Sequence, residues 1–260
     1  MNLFELFVKI GADTTEANKG IDEVGQKTSG LGEKLKSGLA TAGKVAVAGV
    51  AAGATAIGAL GTKAVAAYAD YEQLVGGVET LFKDSQDQVM DYANNAYKTA
   101  GLSANEYMET VTSFSASLLQ SLDGDTSAAA DKANLAITDM SDNANKMGTD
   151  MTSIQNAYQG FAKANYTMLD NLKLGYGGTQ AEMERLLADA EKISGIKYDI
   201  SSYADIVDAI HVVQTEMGIT GTTAKEAAST IQGSFGMMKS AWQNLVTGMA
   251  DPSQDLGVLV

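Results

Sequence analysis

The chain contains no cysteine, one proline and one tryptophan among its 260 residues. Without cysteine there are no disulfides, no Cys-ligated metals and no thiol catalysis, and the compartment stays open. The single proline is Pro252, so no proline breaks a helix anywhere before it. His211 is the only histidine and Arg185 the only arginine. One histidine cannot build a His-metal cluster, and neither a metal nor an organic cofactor is expected. With a net charge of −14 the chain lacks the clustered Lys and Arg that neutralise phosphates, so nucleic-acid sequence recognition is not expected. Simple electrostatic docking on anionic lipid is disfavoured for the same reason. Aromatic residues make up 7%, and much of the apolar fraction is alanine, which buries little surface. That balance predicts long, loosely tiled helices rather than a compact core.

What is present is organised along the chain. Residues 3–10, LFELFVKI, are dense in large apolar side chains and read as a short strand that ends at Gly11. No basic n-region precedes them, and acids come early, unlike a secretory signal. Asp13-Thr14-Thr15-Glu16 then has the spacing of a capping box. The helix it opens runs to about Ser37, with only Ile21, Val24, Leu31 and Leu35 along its apolar stripe. Such a helix is either solvated or one strand of a multichain coiled coil. In residues 1–69 the acids Glu5, Asp13, Glu16, Asp22, Glu23 and Glu33 are balanced by lysines, so the acidic excess lies in the remainder.

Lys44 to Lys63 reads KVAVAGVAAGATAIGALGTK, with no charge between the lysines. Residues 45–61 would span about 26 Å as a helix at ~1.5 Å per residue, short of a ~30 Å hydrocarbon core. Val45, Val47, Val50, Ile57 and Leu60 supply only about −2 kcal/mol of insertion free energy. Gly49 and Gly53, continued by Gly58, give the small-xxx-small spacing that lets helix backbones approach. Three roles remain open for this segment: self-packing in an oligomer, conditional membrane insertion, or plain core.

From Tyr68 the character changes, and Gly76-Gly77 is expected to act as a hinge. The predicted organisation is residues 1–37 as strand plus polar helix, 38–69 as the Ala/Gly-rich helix, and 70–260 as an acidic multi-helix region. Helices are expected at 84–99, 103–120, 126–146, 150–164, 179–193, 203–217 and 223–248. Ser103–Glu106, Thr179–Glu182 and Thr223–Glu226 each have capping-box spacing. Ile196 to Ile200 is the one later stretch with strand character. The fold class is therefore mainly α: elongated helices with a short N-terminal strand, followed by a multi-helix bundle.

Candidate chemistry is sparse. His211 has Asp208 three residues before it and reads as a partly buried structural histidine rather than a general base. Gly175–Thr179, GYGGT, lacks both phosphate-loop spacings and reads as a flexible loop into a capped helix. Asp123-Gly124-Asp125 and the pair Asp139 and Asp142 match no calcium loop and are expected to be solvated. Met140, Met147, Met151, Met217, Met237, Met238 and Met249 suit core or partner packing.

Several blocks carry a resemblance. FVKIGADTTEANKGIDEVGQKTSGLGEKL, then the Ala/Gly-rich helix, then YEQLVGGVETLFKDSQDQV resemble the N-terminal part of phage tail tape measure proteins of long-tailed phages and prophages of Gram-positive bacteria. MGTDMTSIQNAYQGFAKANYTMLDNLKLGYGGTQAEMERLL and STIQGSFGMMKSAWQNLVTGMADPSQDLG resemble later blocks of that family, in the family's order. The resemblance implies a non-enzymatic structural protein. Several copies would lie in the tail-tube lumen, with the tail tube protein polymerising around them and tail assembly chaperones assisting. Their length would set tail length. It also implies localisation in the virion after assembly in the host cytoplasm. Passage of DNA through the host membrane would draw on the hydrophobic helix, with Val45, Val47, Gly49, Val50, Gly53, Ile57, Gly58 and Leu60 as its packing or membrane residues. Family members are usually much longer, so the chain is expected to be the N-terminal region of a longer protein. Two alternatives stay open: a membrane-active pore-former using residues 45–61, and a cell-wall hydrolase with a carboxylate pair after residue 79.

Overall fold

The computed structural model describes residues 49–229 and 231–248, with side chains placed for 66–226 and 236–248. The expected N-terminal strand, the polar helix, Val45, Val47, Met249 and Pro252 lie outside the described residues. The order is α1 (Gly49–Phe82), a 3-10 turn (Lys83–Ser85), α2 (Gln86–Thr99), α3 (Ala104–Ser121), α4 (Thr126–Met147) and α5 (Met151–Phe161). A second 3-10 turn (Leu169–Leu172) follows, then α6 (Gln180–Ser194), α7 (Tyr203–Glu216), α8 (Thr222–Ser229) and α9 (Ile231–Gly248). The protein is mainly α, and no strand occurs among the described residues.

Most helix starts follow from local chemistry. Ser103 Oγ accepts from Glu106 N, and Glu106 Oε2 accepts in return from Ser103 N at 2.8 Å, a complete capping box for α3. Asp125, Asp150, Thr179 and Ser202 cap α4, α5, α6 and α7 in the same way, each accepting from the amide three residues on. Gly148 and Gly195 end α4 and α6 in the left-handed conformation that costs other residues energy.

Two features expected from the sequence differ in the structure. Gly76-Gly77 is no hinge: α1 continues through both for 34 residues, about 51 Å at ~1.5 Å per residue. Thr80 Oγ1 donates back to Gly76 O at 2.8 Å, a bond within the same helix. A lone glycine pair costs about 2 kcal/mol of propensity, less than the burial of Val78 and Phe82 beside it returns. Ile196–Ile200 forms no strand: the amides of Ile196 and Asp199 donate to Ser194 Oγ and Asp205 Oδ2 rather than to a neighbouring strand.

The described residues divide into two units. One comprises Tyr71–Asn244. The other, among described residues, comprises 49–70 and 245–248 and is helical throughout. In the first unit α4 is the hub, packing on α2, α3, α5, α7 and α8, while α6 pairs with α7. Its composition explains the position. Ala129, Ala130, Ala133 and Ala136 are fully buried, and such small side chains let neighbouring helices approach from several sides. Larger residues from the neighbours fill the intervening space, among them Phe82, Tyr107, Met108, Leu118, Ile154 and Tyr158. Phe161 lies between Tyr158 and Tyr166, with ring centroids 5.7 and 6.3 Å away. Each such side chain contributes about 1.5–3 kcal/mol on burial. The loosely tiled packing expected from the alanine content is thus corrected: alanine sits at the axis and the scarce large residues surround it.

The methionines divide. Met140 is fully buried, Met147 and Met151 pack against the core, and Met217 and Met238 are exposed. Met238 shares one face of α9 with Trp242, which is 53% exposed.

Candidate functional site: a buried polar row and an acidic groove

The polar residues of α4 are not where a solvated acidic cluster would be. Asp139 is 1% exposed and Asp142 is fully buried, which corrects the expectation that both are solvated. The spacing 139, 142, 143 keeps these groups on one side of α4, facing α7, α8 and the second 3-10 turn. Each finds a partner far away in sequence. Asp139 holds His211 of α7, with Nδ1 2.9 Å from Oδ2 and 3.0 Å from Oδ1. Asp142 accepts from the backbone amides of Gly221 and Thr223, the latter at 2.8 Å. Asn143 Nδ2 donates to Leu172 O at 2.9 Å. One turn from His211, Asp208 forms an ion pair with Lys132 of α4.

Asp142 corrects a further expectation. Thr223 and Glu226 have capping-box spacing, yet α8 begins at Thr222, and its first amides are satisfied by a carboxylate eighty residues earlier. A buried carboxylate at a helix N-terminus also meets the positive end of the helix dipole.

The electrostatics of the His211–Asp139 pair follow from its geometry. The carboxylate at Nδ1 holds the His211 pKa above its ordinary value, against the opposing effect of partial burial. Burial raises the Asp139 carboxyl above the usual carboxylate range, partly offset by its hydrogen bond to His211. Close by, the Tyr158 hydroxyl and the Gln214 amide are fully buried, and burial pushes Tyr158 well above the normal phenol range. The pair can hold and exchange a proton. Its hydrogen bonds join only each other, so among the described residues no hydroxyl nucleophile is linked to His211. Sequence reasoning placed Asp208 beside His211. It missed Asp139, whose setting between Ile137 and Met140 was the available signal of burial.

The Gly175–Thr179 loop is pinned rather than flexible. Arg185 Nη2 donates to Gly175 O at 2.7 Å and to Glu182 Oε2 at 2.6 Å, and its guanidinium lies 4.3 Å from the centre of the Tyr176 ring. Glu182 Oε2 also accepts from Gly177 N at 3.0 Å. Burial and the Asp189 carboxylate, which accepts from the Tyr176 hydroxyl, push Tyr176 up to about 12. A Cβ on Gly178 would lie 2.2 Å from Thr167 O, so only glycine fits. The loop amides needed for a phosphate cradle are thereby partly used.

Next to this loop, α6 and residues 197–200 form the walls of a groove of about 640 Å³. Glu184, Leu187 and Glu191 line it from α6, and Lys197, Tyr198 and Ile200 from the segment opposite. Asp199 and Asp205 are engaged at its end, where Asp205 accepts from Asp199 N and Asp199 from Ser201 N, each at 2.8 Å.

No protein-family model, curated protein or solved structure matches the chain. Function therefore has to be argued from the residues. Among the described residues no group of three or more His, Asp or Glu side chains is placed to hold a metal ion. No described helix is long and apolar enough to cross a membrane. Gly49, Val50, Gly53, Ile57, Gly58 and Leu60 belong to the backbone of α1, but their side chains lie outside the described ones, as do Val45 and Val47 entirely.

Proposed function

We propose that the chain is the N-terminal region of a phage tail tape measure protein, a non-enzymatic structural component of the tail. In this role copies of the chain associate within the lumen of the tail tube. The tube protein assembles around them with the help of tail assembly chaperones, and the length of the parent protein sets the length of the tail. The observation that carries the proposal is the order of the sequence blocks, from FVKIGADTTEANKG through YEQLVGGVETLF and NAYQGFAKANYTMLDNLKLGYGGTQAEMERLL to SFGMMKSAWQNLVTGMADPSQDLG. The uninterrupted α1 is compatible with it, since a 34-residue helix without a hinge is an extended element of defined length. Assistance to DNA passage through the host membrane belongs to the same proposal and is assigned to the Ala/Gly-rich helix acting in an oligomer. Neither the pore-forming nor the hydrolase alternative is favoured by a specific observation.

The test is tail length, measured by electron microscopy, in a phage carrying in-frame deletions in helical stretches of the parent gene outside Tyr71–Asn244. A shortening of about 1.5 Å per deleted residue is expected. Tails of unchanged length in every deletion would refute the ruler role, and normal tails that fail to deliver DNA would move the function to membrane passage.

A further inference from the structure

We infer that the chain associates with a second copy of itself by seating Trp242 of one copy, with Lys239 beside it, in the pocket that α9 helps to form on the other. The inference deepens the association of copies proposed above and rests on that reading only for the presence of neighbouring copies.

The pocket sets the chemistry of its occupant. About 260 Å³ of space lies between the α2–α3 turn, α4, α5, α8 and α9. Leu102, Ala144, Met151 and Met237 make it mainly apolar, and Glu226 is the only charged residue in its lining. A cavity of about 150 Å³ takes a benzene ring, so this one has room for the two fused rings of an indole. Thioethers such as those of Met151 and Met237 make favourable contacts with an aromatic ring. A cation carried beside that ring would meet Glu226. The lining thus selects an aromatic group with a positive charge next to it.

The far side of α9 displays that combination. Ser240 Oγ donates to Gly101 O at 2.7 Å, and Asn244 Oδ1 accepts from Ala104 N at 2.8 Å, so polar side chains hold α9 to the α2–α3 turn. Met238 and Trp242 are each two residues from Ser240, about 160° round the helix, and are 57% and 53% exposed. Lys239, also exposed, lies one turn before Trp242 and so beside it. Within one chain the two halves of the contact do not meet, because Trp242 lies about 140° round α9 from Met237 in the pocket lining. A second copy supplies both halves, the tryptophan to fill the pocket and the lysine to face Glu226. A tryptophan seated in a pocket is a common energetic anchor of interfaces. The contact is small beside the ~800 Å² per partner of a stable complex, so a dissociation constant on the order of 100 μM is expected.

The test is sedimentation equilibrium of the full chain from about 1 μM to about 1 mM, which brackets such a constant. Moderate salt screens the net charge of −14. At the dilute end the chain is a monomer with Trp242 in water. At the concentrated end the emission of this sole tryptophan should shift to the blue. Trp242→Ala removes an exposed side chain, and Gly236→Phe fills the pocket, since a Cβ on Gly236 meets no atom within 4 Å. Each is checked for helix content by circular dichroism and should weaken association at least tenfold. Mixed together, the two variants should associate again, because one keeps the pocket and the other keeps the tryptophan. Lys239→Glu should weaken association severalfold. Ile196→Ala, at a 60% exposed position elsewhere, should leave it within twofold of the parent. The inference is overturned by a chain that stays monomeric at about 1 mM, by equal loss in Ile196→Ala, or by a mixture that fails to associate. Tryptamine, an indole with an ammonium, should compete with association; its binding to a chain that never associates would make the pocket a small-molecule site and overturn the inference. None of these results alters tail length in the deletion series, so the two readings fail separately.

Discussion

Asp139 and Asp142 lie three residues apart on one helix and do different work. Asp139 meets a titratable partner, and the sign of its effect on stability can be worked out. The folded chain holds the His211 proton more tightly than the unfolded chain does, because the Asp139 carboxylate accepts from it. The resulting stabilisation is fully present below the unfolded value of ~6.5 and is lost as pH rises through the higher folded value. Asp139 acts in the same direction, since its raised pKa favours the fold most before the buried carboxyl ionises. Urea denaturation at a series of pH values should therefore show a loss of stability above about 6.5 that is absent in His211→Gln. Because His211 is the only imidazole, a single set of ring resonances reports it in NMR titration, and Asp139→Asn should lower its pKa toward the ordinary value. Asp142 instead satisfies two backbone amides of the α8 start. Asp142→Ala should cost about 2–3 kcal/mol in denaturant unfolding, the cost of a buried charge-assisted pair of bonds. The sequence could not expose these roles, because the partners are more than seventy residues away.

At the scale of the element, local chemistry was largely legible. Helix starts at Ser103, Thr179 and Ser202 follow from a side-chain oxygen three residues before an unsatisfied amide. The exceptions have a common cause in tertiary packing. The α8 start is capped from α4, the turn at Gly175–Thr179 is tied by Arg185, and α1 passes through two glycines because Val78 and Phe82 just after them are buried. These glycines make opposite predictions. No atom lies within 4 Å of a Cβ built on Gly76, so Gly76→Ala should stabilise the protein by about 0.5–1 kcal/mol in thermal or chemical unfolding. A hinge at that place would instead show no gain. Gly178→Ala drives a Cβ against the Thr167 carbonyl and should destabilise by about 1–3 kcal/mol. The groove beside this turn was not legible at all: Ile196–Ile200 has the composition of a strand, and only the structure shows residues 197–200 lining a groove opposite α6.

On the scale of the whole molecule, a compact unit and a ruler make different demands on length. Residues Tyr71–Asn244 drawn out as continuous helix would cover about 260 Å at ~1.5 Å per residue. Folded as one compact unit of this size, they have a radius of gyration of about 16 Å. Under the proposed function, removing the whole unit from the parent gene should shorten tails by tens of ångströms, as measured by electron microscopy. A shortening near ~260 Å would mean the unit is unravelled inside the tail. Composition pointed to helices but not to this compactness, because it counts alanines without showing that they gather on one axis.

The position of Trp242 has a practical consequence for every unfolding measurement named above. The sole tryptophan is 53% exposed on α9, whereas Tyr107 and Tyr158 are almost wholly enclosed near the centre. Tryptophan emission, already red-shifted by water in the native state, will change little when the central helices separate. Near-ultraviolet tyrosine signals will carry the cooperative transition, and a flat tryptophan trace should not be mistaken for a protein that resists denaturant.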